Sequence, residues 1–219
     1  MISQHFILAH RGLWSEPREQ NSLHALVNAV QLGFGVEIDV RDSNNELVIS
    51  HSPPEGDEPK FREFLESVLS PEVQPVIALN VKADGLLRFL EPSVVAALPG
   101  GSFFFDMSTP ETIRYGNANL PTAVRISEYE RMPDLTSAGT ANTRTIWLDS
   151  FDSDWWLDLT VDELVPDGWA VYIVSPELHG REPDLAWERL QERDWEGKVF
   201  GICTDYPVEF FEFIGGSVA

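Results

Sequence analysis

Residues 35–40 read Gly35-Val36-Glu37-Ile38-Asp39-Val40. Valine and isoleucine fill three of the six positions, and β-branched residues favour strands. Successive side chains of a strand point to opposite faces, so Glu37 and Asp39 share one face while Val36, Ile38 and Val40 share the other. Neither face has the look of an open, solvent-facing sheet, because apolar residues continue through the strand. Outward from here, the sequence predicts further apolar strands at 6–9, 76–81, 102–105, 122–126, 145–148, 170–174 and 200–203. Strands buried on both faces, with helix-like spacing between them, indicate a parallel sheet.

The segments between strands carry helical periodicity. Ser22 is a suitable N-cap for a run in which Leu23, Leu26, Val27 and Val30 share a face, and Gly33 supplies the stop. Phe61, Phe64, Leu65, Val68 and Leu69 form a second stripe that ends before Pro71. Leu86, Leu87, Leu90, Val94 and Val95 suggest a third, with Pro92 opposing it. Thr109-Pro110-Glu111 reads as an N-cap, an early proline and an acid, and later helices are expected near Ser153, Glu182 and Tyr206. Eight strands favour a single-domain (β/α)₈ TIM barrel over residues 1–219. The competing open, doubly wound sheet lacks a Gly-rich dinucleotide fingerprint after the first strand.

Composition narrows the partners. The 219 residues carry 15 Lys+Arg against 36 Asp+Glu, a net charge of −21. Such a chain has no long-range attraction for nucleic acid or anionic lipid. Lysine appears only as Lys60, Lys82 and Lys198, so the acidity suits either an ordinary soluble bacterial protein or a salt-adapted one. The lone Cys203 excludes an internal disulfide and any cysteine cluster for zinc or iron–sulfur. No run approaches the ~20 apolar residues of a membrane span, and no signal peptide is visible, so a cytoplasmic location is expected. Oligomeric state is left open.

In a barrel, chemistry gathers where strands end at their carboxyl termini. Those ends hold His10, Arg11, Glu37, Asp39, His51, Asn80, Lys82, Asp106, Arg125, Asp149, Ser175, Glu177, His179, Thr204 and Asp205. Glu37 and Asp39, side by side in a poorly hydrated interior, must share a proton or be compensated by a cation. A hard divalent ion with oxygen ligands, Mg²⁺ or Ca²⁺, suits them. The alternative pairs one carboxylate with Arg41 and leaves the other in solvent. His10 and His51 flank the carboxylates and suit paired acid–base catalysis. His5 and His24 lack such neighbours and read as structural. The tryptophans at 147, 155, 156, 169, 187 and 195 are expected between barrel and helices, while Trp14 is a candidate for substrate contact.

These residues resemble the glycerophosphodiester phosphodiesterase family. Its His-Arg-Gly, Glu-Asn-Thr, Glu-x-Asp, His-Asp, Glu-x-Lys and Thr-Asp-x-Pro motifs are met here in order. The matching stretches are His10-Arg11-Gly12, Gln20-Asn21-Ser22, Glu37-Ile38-Asp39, His51-Ser52, Asn80-Val81-Lys82 and Thr204-Asp205-Tyr206-Pro207. The resemblance implies a (β/α)₈ barrel that hydrolyses a small-molecule phosphodiester, in lipid metabolism, to an alcohol and a phosphomonoester. It implies His10 and His51 as the catalytic pair, Arg11 and Lys82 as phosphate-binding residues, and Glu37, Asp39 and Asn80 as holders of one divalent cation. Lys82 can equally neutralise Asp39. Asn80 replaces a family glutamate, with Asp106 as a possible substitute ligand; Gln20 and Ser52 replace acids. The short stretch between His51 and Phe61 lacks a covering insertion common in the family. Two other functions stay open: a phospholipase C- or sphingomyelinase D-like lyase, and a non-catalytic barrel that binds a phosphate ligand.

Overall fold

The computed structural model describes residues 2–68, 74–90, 92–132 and 142–218. Its strands are β1 (Ile7–His10), β2 (Gly35–Ser43), β3 (Glu46–Ile49), β4 (Ile77–Val81), β5 (Phe103–Phe105), β6 (Thr122–Ile126), β7 (Thr143–Leu148), β8 (Ala170–Val174) and β9 (Val199–Thr204). Eight of them pair in parallel in the cyclic order β1-β2-β4-β5-β6-β7-β8-β9, and β9 returns to β1. The sheet is therefore a closed (β/α)₈ barrel, as the strand count predicts. β3 lies outside the ring, antiparallel to the far end of β2. Asn44 and Asn45 join the two at φ 49° and 67°. Asparagine tolerates this left-handed region, which a two-residue hairpin turn requires.

Alternation along each strand sorts side chains into two layers. Val36, Ile38, Val40, Ile77 and Leu79 face outward and join one apolar cluster with the surrounding helices. Leu8, Ala78, Phe103, Phe105, Trp147, Tyr172, Val174 and Cys203 fill the barrel itself. Phe105 stacks on Trp147 at 4.1 Å between ring centroids, and Phe103 lies 5.0 Å from Tyr172. Trp147 thus departs from the expected barrel–helix position: it shares the inward face with Asp149, two residues on. Trp155, Trp156, Trp169, Trp187 and Trp195 do pack in the outer layer. The rings floor the barrel, leaving polar groups to its carboxyl-terminal mouth.

The helices are α1 (Leu23–Gln31), α2 (Phe61–Val68), α3 (Pro92–Ala97), α4 (Thr109–Asn117), α5 (Val161–Leu164), α6 (Asp184–Glu192) and α7 (Pro207–Phe213). Ser22 caps α1, its Oγ accepting from the Ala25 amide at 3.2 Å. Leu69 and Pro71, read as the end of the second helix, lie outside the described residues. The third stripe is not one helix: a 3₁₀ turn at Leu86–Phe89 precedes α3. Pro92 has no N–H for a continuing helix and instead opens the new one. Thr109, read from sequence as the N-cap, is instead the first residue of α4, and Ser108 holds the N-cap position. Among the described residues no helix is long and apolar enough to cross a membrane.

Candidate active site

The mouth is organised by the turn that follows β1. Arg11 and Gly12 adopt φ 57° and 92°, reversing the chain directly after His10. A Cβ on Gly12 would lie 2.6 Å from the Ala25 carbonyl carbon, so the residue must be glycine. The Arg11 amide donates to the Glu37 carbonyl at 3.1 Å, and the Asn21 amide donates to the Arg11 carbonyl at 2.9 Å. The turn thereby ties β1, β2 and the start of α1 together. Trp14 donates its indole N–H to the His10 carbonyl at 2.9 Å, bracing the same turn.

Glu37 and Asp39 both point inward and are 2% and 0% exposed, which rules out the arrangement with one carboxylate in solvent. Arg41 does not reach them; its Nε donates to the His51 carbonyl at 3.0 Å. Their environments then diverge. Asp39 has Arg11 Nε at 2.9 Å and Lys82 Nζ at 3.2 Å, and Asn21 Nδ2 donates to it at 2.8 Å. Burial disfavours its charge, but Lys82, Arg11 and Asn21 outweigh burial and hold the carboxyl below its usual range. Glu37 lacks such direct contacts, and His10, Lys82 and Arg11 only partly offset its burial. Desolvation first, and the Asp39 charge second, push it up to about 7.

Two buried oxygens in this cluster, Glu37 Oε2 and Asn80 Oδ1, accept no hydrogen bond, and the neighbouring Asp39 Oδ1 has only the Lys82 ammonium, at 3.2 Å. Asp39 and Asn80 are register partners on adjacent strands. Buried polar atoms are rarely left without a partner, and an orphaned set of oxygens suits a hard cation. The set contains two carboxylates and one amide. Among the described residues no group of three His, Cys, Asp or Glu side chains is arranged for a metal.

His10 donates through Nδ1 to Asp205 Oδ1 at 2.7 Å, and its Nε2 lies 4.0 Å from Glu37 Oε2. The hydrogen bond fixes which nitrogen faces the cluster. His51 is exposed, and its ring makes no hydrogen bond among the described residues. Partial desolvation, then Arg11, with smaller effects from Lys82 and Arg41, holds it below its usual range against the opposing pull of Asp39. The chain between Ser50 and Pro59 is a short excursion that returns to β3, where the Ile49 amide donates to the Pro59 carbonyl at 2.8 Å.

The sequence-selected residues His10, Arg11, Glu37, Asp39, Asn80 and Lys82 thus meet at one mouth, with His51 within electrostatic reach. Asp106 is engaged elsewhere: it accepts from Arg125 at 2.6 Å and lies 3.5 Å from Lys82. His5 and His24 stay local, against Phe6 and Asn28. On the far rim His179 donates through Nε2 to Asp149 at 2.7 Å. Two functional contacts escaped sequence reasoning. Asn21 holds Asp39, and Asp205 holds His10. Both residues stood in quoted motifs, but neither motif names its partner.

Fold and mouth together define the class: a parallel (β/α)₈ barrel with a buried acidic pair and an oriented histidine at the carboxyl ends of its strands. The structure is similar to the crystal structure of glycerophosphodiester phosphodiesterase from Agrobacterium tumefaciens str. C58, with a TM-score of 0.64 and 16% identity, covering 96% of this chain and 99% of that one. At that identity the likeness establishes the fold. No protein-family model and no curated protein matches the chain.

Proposed function

We propose that this chain is a divergent relative of the glycerophosphodiester phosphodiesterases and hydrolyses a small-molecule phosphodiester to an alcohol and a phosphomonoester. The observation that carries the reading is His10, fixed by Asp205 and aimed at Glu37 beside the Asp39–Arg11–Lys82 cluster. Such an assembly has little structural value, since it buries charge that hydrophobic residues would replace without loss.

The roles follow from the environments. His51, held neutral near pH 7, takes the proton of the attacking water or hydroxyl as its oxygen bonds to phosphorus. In its doubly protonated form, with Nδ1–H held by Asp205, His10 gives its Nε2 proton to the departing alcohol oxygen as the P–O bond breaks. Arg11 and Lys82 supply the local positive charge that draws a phosphodiester into an acidic protein. Glu37 and Asn80, with oxygens that accept no hydrogen bond, and Asp39, whose Oδ1 faces Lys82, fit one hard divalent cation. When bound, Mg²⁺ or Ca²⁺ would polarise a phosphoryl oxygen.

The test is turnover of bis(p-nitrophenyl) phosphate and glycerophosphocholine with Mg²⁺, Ca²⁺ or Mn²⁺. Phosphorus NMR identifies the product: a phosphomonoester supports hydrolysis, whereas a stable cyclic phosphate marks a lyase. Loss of ~10²-fold or more in His10→Ala is expected, and equal rates for the two proteins would end the catalytic assignment. Two observations favour a second reading, a barrel that binds a phosphate ligand without turnover. Asn80 supplies no third carboxylate, and His51 has no carboxylate behind its ring. That reading predicts ligand-induced thermal stabilisation with no product under any metal.

A further inference from the structure

Glu177 follows β8 and plays no part in the roles above, yet its carboxylate is fully committed. Oε1 accepts from Thr204 Oγ1 at 2.5 Å and from the Asp205 amide at 3.1 Å. Oε2 accepts from Ser175 Oγ. Ser175 Oγ is in turn anchored by the Trp187 indole N–H of α6 at 2.9 Å, and Thr204 Oγ1 accepts from the Tyr206 amide at 3.0 Å. Ser175 and Thr204 are 0% exposed and Trp187 is 6% exposed, so the chain of contacts is rooted in the core. It crosses from α6 through the end of β8 to the end of β9, and there it fixes the residue that holds His10.

We propose that Glu177 is a positioning residue for His10, acting through the backbone of Asp205. Thr204 and Asp205 stand at the end of a strand, where the ladder no longer fixes the backbone. β8 and β9 last pair at Val174 and Cys203, after which the Ser175 amide still donates to the Cys203 carbonyl. Beyond that point Glu177 replaces the missing ladder partner. It accepts the Asp205 amide directly and clamps the preceding hydroxyl. Without it the Asp205 carboxylate is free to swing, and His10 loses the acceptor that selects its Nδ1–H tautomer. A glutamate at this position needs to be only an acceptor toward Thr204 and Asp205. Glutamine keeps that acceptor in Oε1 and can donate through Nε2 to Ser175 Oγ.

The functional consequence rests on the hydrolase reading, but the ring tautomer is read without substrate. Long-range ¹H–¹⁵N correlation spectra of the intact protein, with His10 assigned through His10→Gln, report which ring nitrogen carries the proton. At a pH where the ring is neutral, wild type is expected to show the Nδ1–H form at His10. In Glu177→Ala the Nε2–H form should rise severalfold at His10 while His24 is unchanged, and kcat should fall ~10–100-fold with KM within about twofold. Glu177→Gln should restore the wild-type tautomer and bring kcat to within about threefold. Should Glu177→Ala not fold, Thr204→Val removes the hydroxyl half of the clamp and should shift the tautomer in the same direction. An unchanged His10 tautomer in the folded variants, or an equal change at His24, overturns the proposal. Absence of turnover in wild type overturns the hydrolase reading, and the tautomer result still decides this one.

Discussion

Asn80→Asp is the sharpest perturbation of the oxygen cluster, because it changes charge without changing shape. Asn80 is 9% exposed, and its register partner on β2 is Asp39. Adjacent strands are ~4.8 Å apart. Two carboxylates ~5 Å apart at an effective dielectric of ~20 repel by about 3 kcal/mol. Glu37 adds to the repulsion and Lys82 offsets part of it. In chelator the variant should therefore be about 3 kcal/mol less stable than wild type, which in a chain of this size lowers Tm by ~6–12 °C. Adding cation should reverse the order of gains. A third carboxylate strengthens the site, so at ~100 times its Kd the ion returns about 2.7 kcal/mol to the variant. Wild type, with an amide there, should gain less from the same concentration. Differential scanning fluorimetry in EDTA, Mg²⁺, Ca²⁺ and Mn²⁺ reads all of this. A variant as stable as wild type in EDTA would show that the Asn80 oxygen does not face Asp39, and no recovery with any ion would remove the cation from the reading.

Glu37→Gln should flatten the pH dependence of stability. The native carboxyl, at about 7, keeps a proton that the unfolded chain releases near 4.5, so wild type loses stability as pH climbs through that window. The loss is of order 3 kcal/mol. Urea melts from pH 4.5 to 7.5 check it, and parallel curves for the two proteins refute it. Lys82→Met removes a cation that disfavours the His51 imidazolium, so the His51 NMR titration midpoint should rise toward 6.5; a fall or no change counts against the shared electrostatic environment. Gly12→Ala should cost more than about 2 kcal/mol, because φ 92° and a 2.6 Å approach to backbone leave a methyl no room. A Tm within about 2 °C of wild type would contradict the turn geometry.

Much of the architecture was legible because strand chemistry is local. The alternation in Gly35–Val40 put Glu37 and Asp39 on one face, and the barrel places that face inward. The same alternation applied to β7 would have put Trp147 inside, since Asp149 was already assigned to the mouth; grouping it with the other tryptophans between barrel and helices misplaced it. The pairing of Asp205 with His10 was not legible in the same way. The two residues are 195 positions apart, and they meet only because closure sets β9 against β1. Asn21 is similar: its neighbour Ser22 carries the local signal of a helix cap, while its own side chain serves β2. The sequence also flagged Lys82 as either a phosphate ligand or a partner of Asp39. In the structure its Nζ lies 3.2 Å from Asp39 and 3.5 Å from Asp106.

The packed rings of Phe103, Phe105, Trp147 and Tyr172 give the barrel a sealed base. With that end filled by side chains, the polar groups are approached from the opposite rim. The indole of Trp147 lies in that base and stacks on Phe105. Of the chain's seven tryptophans it is the one that belongs to the cluster filling the barrel.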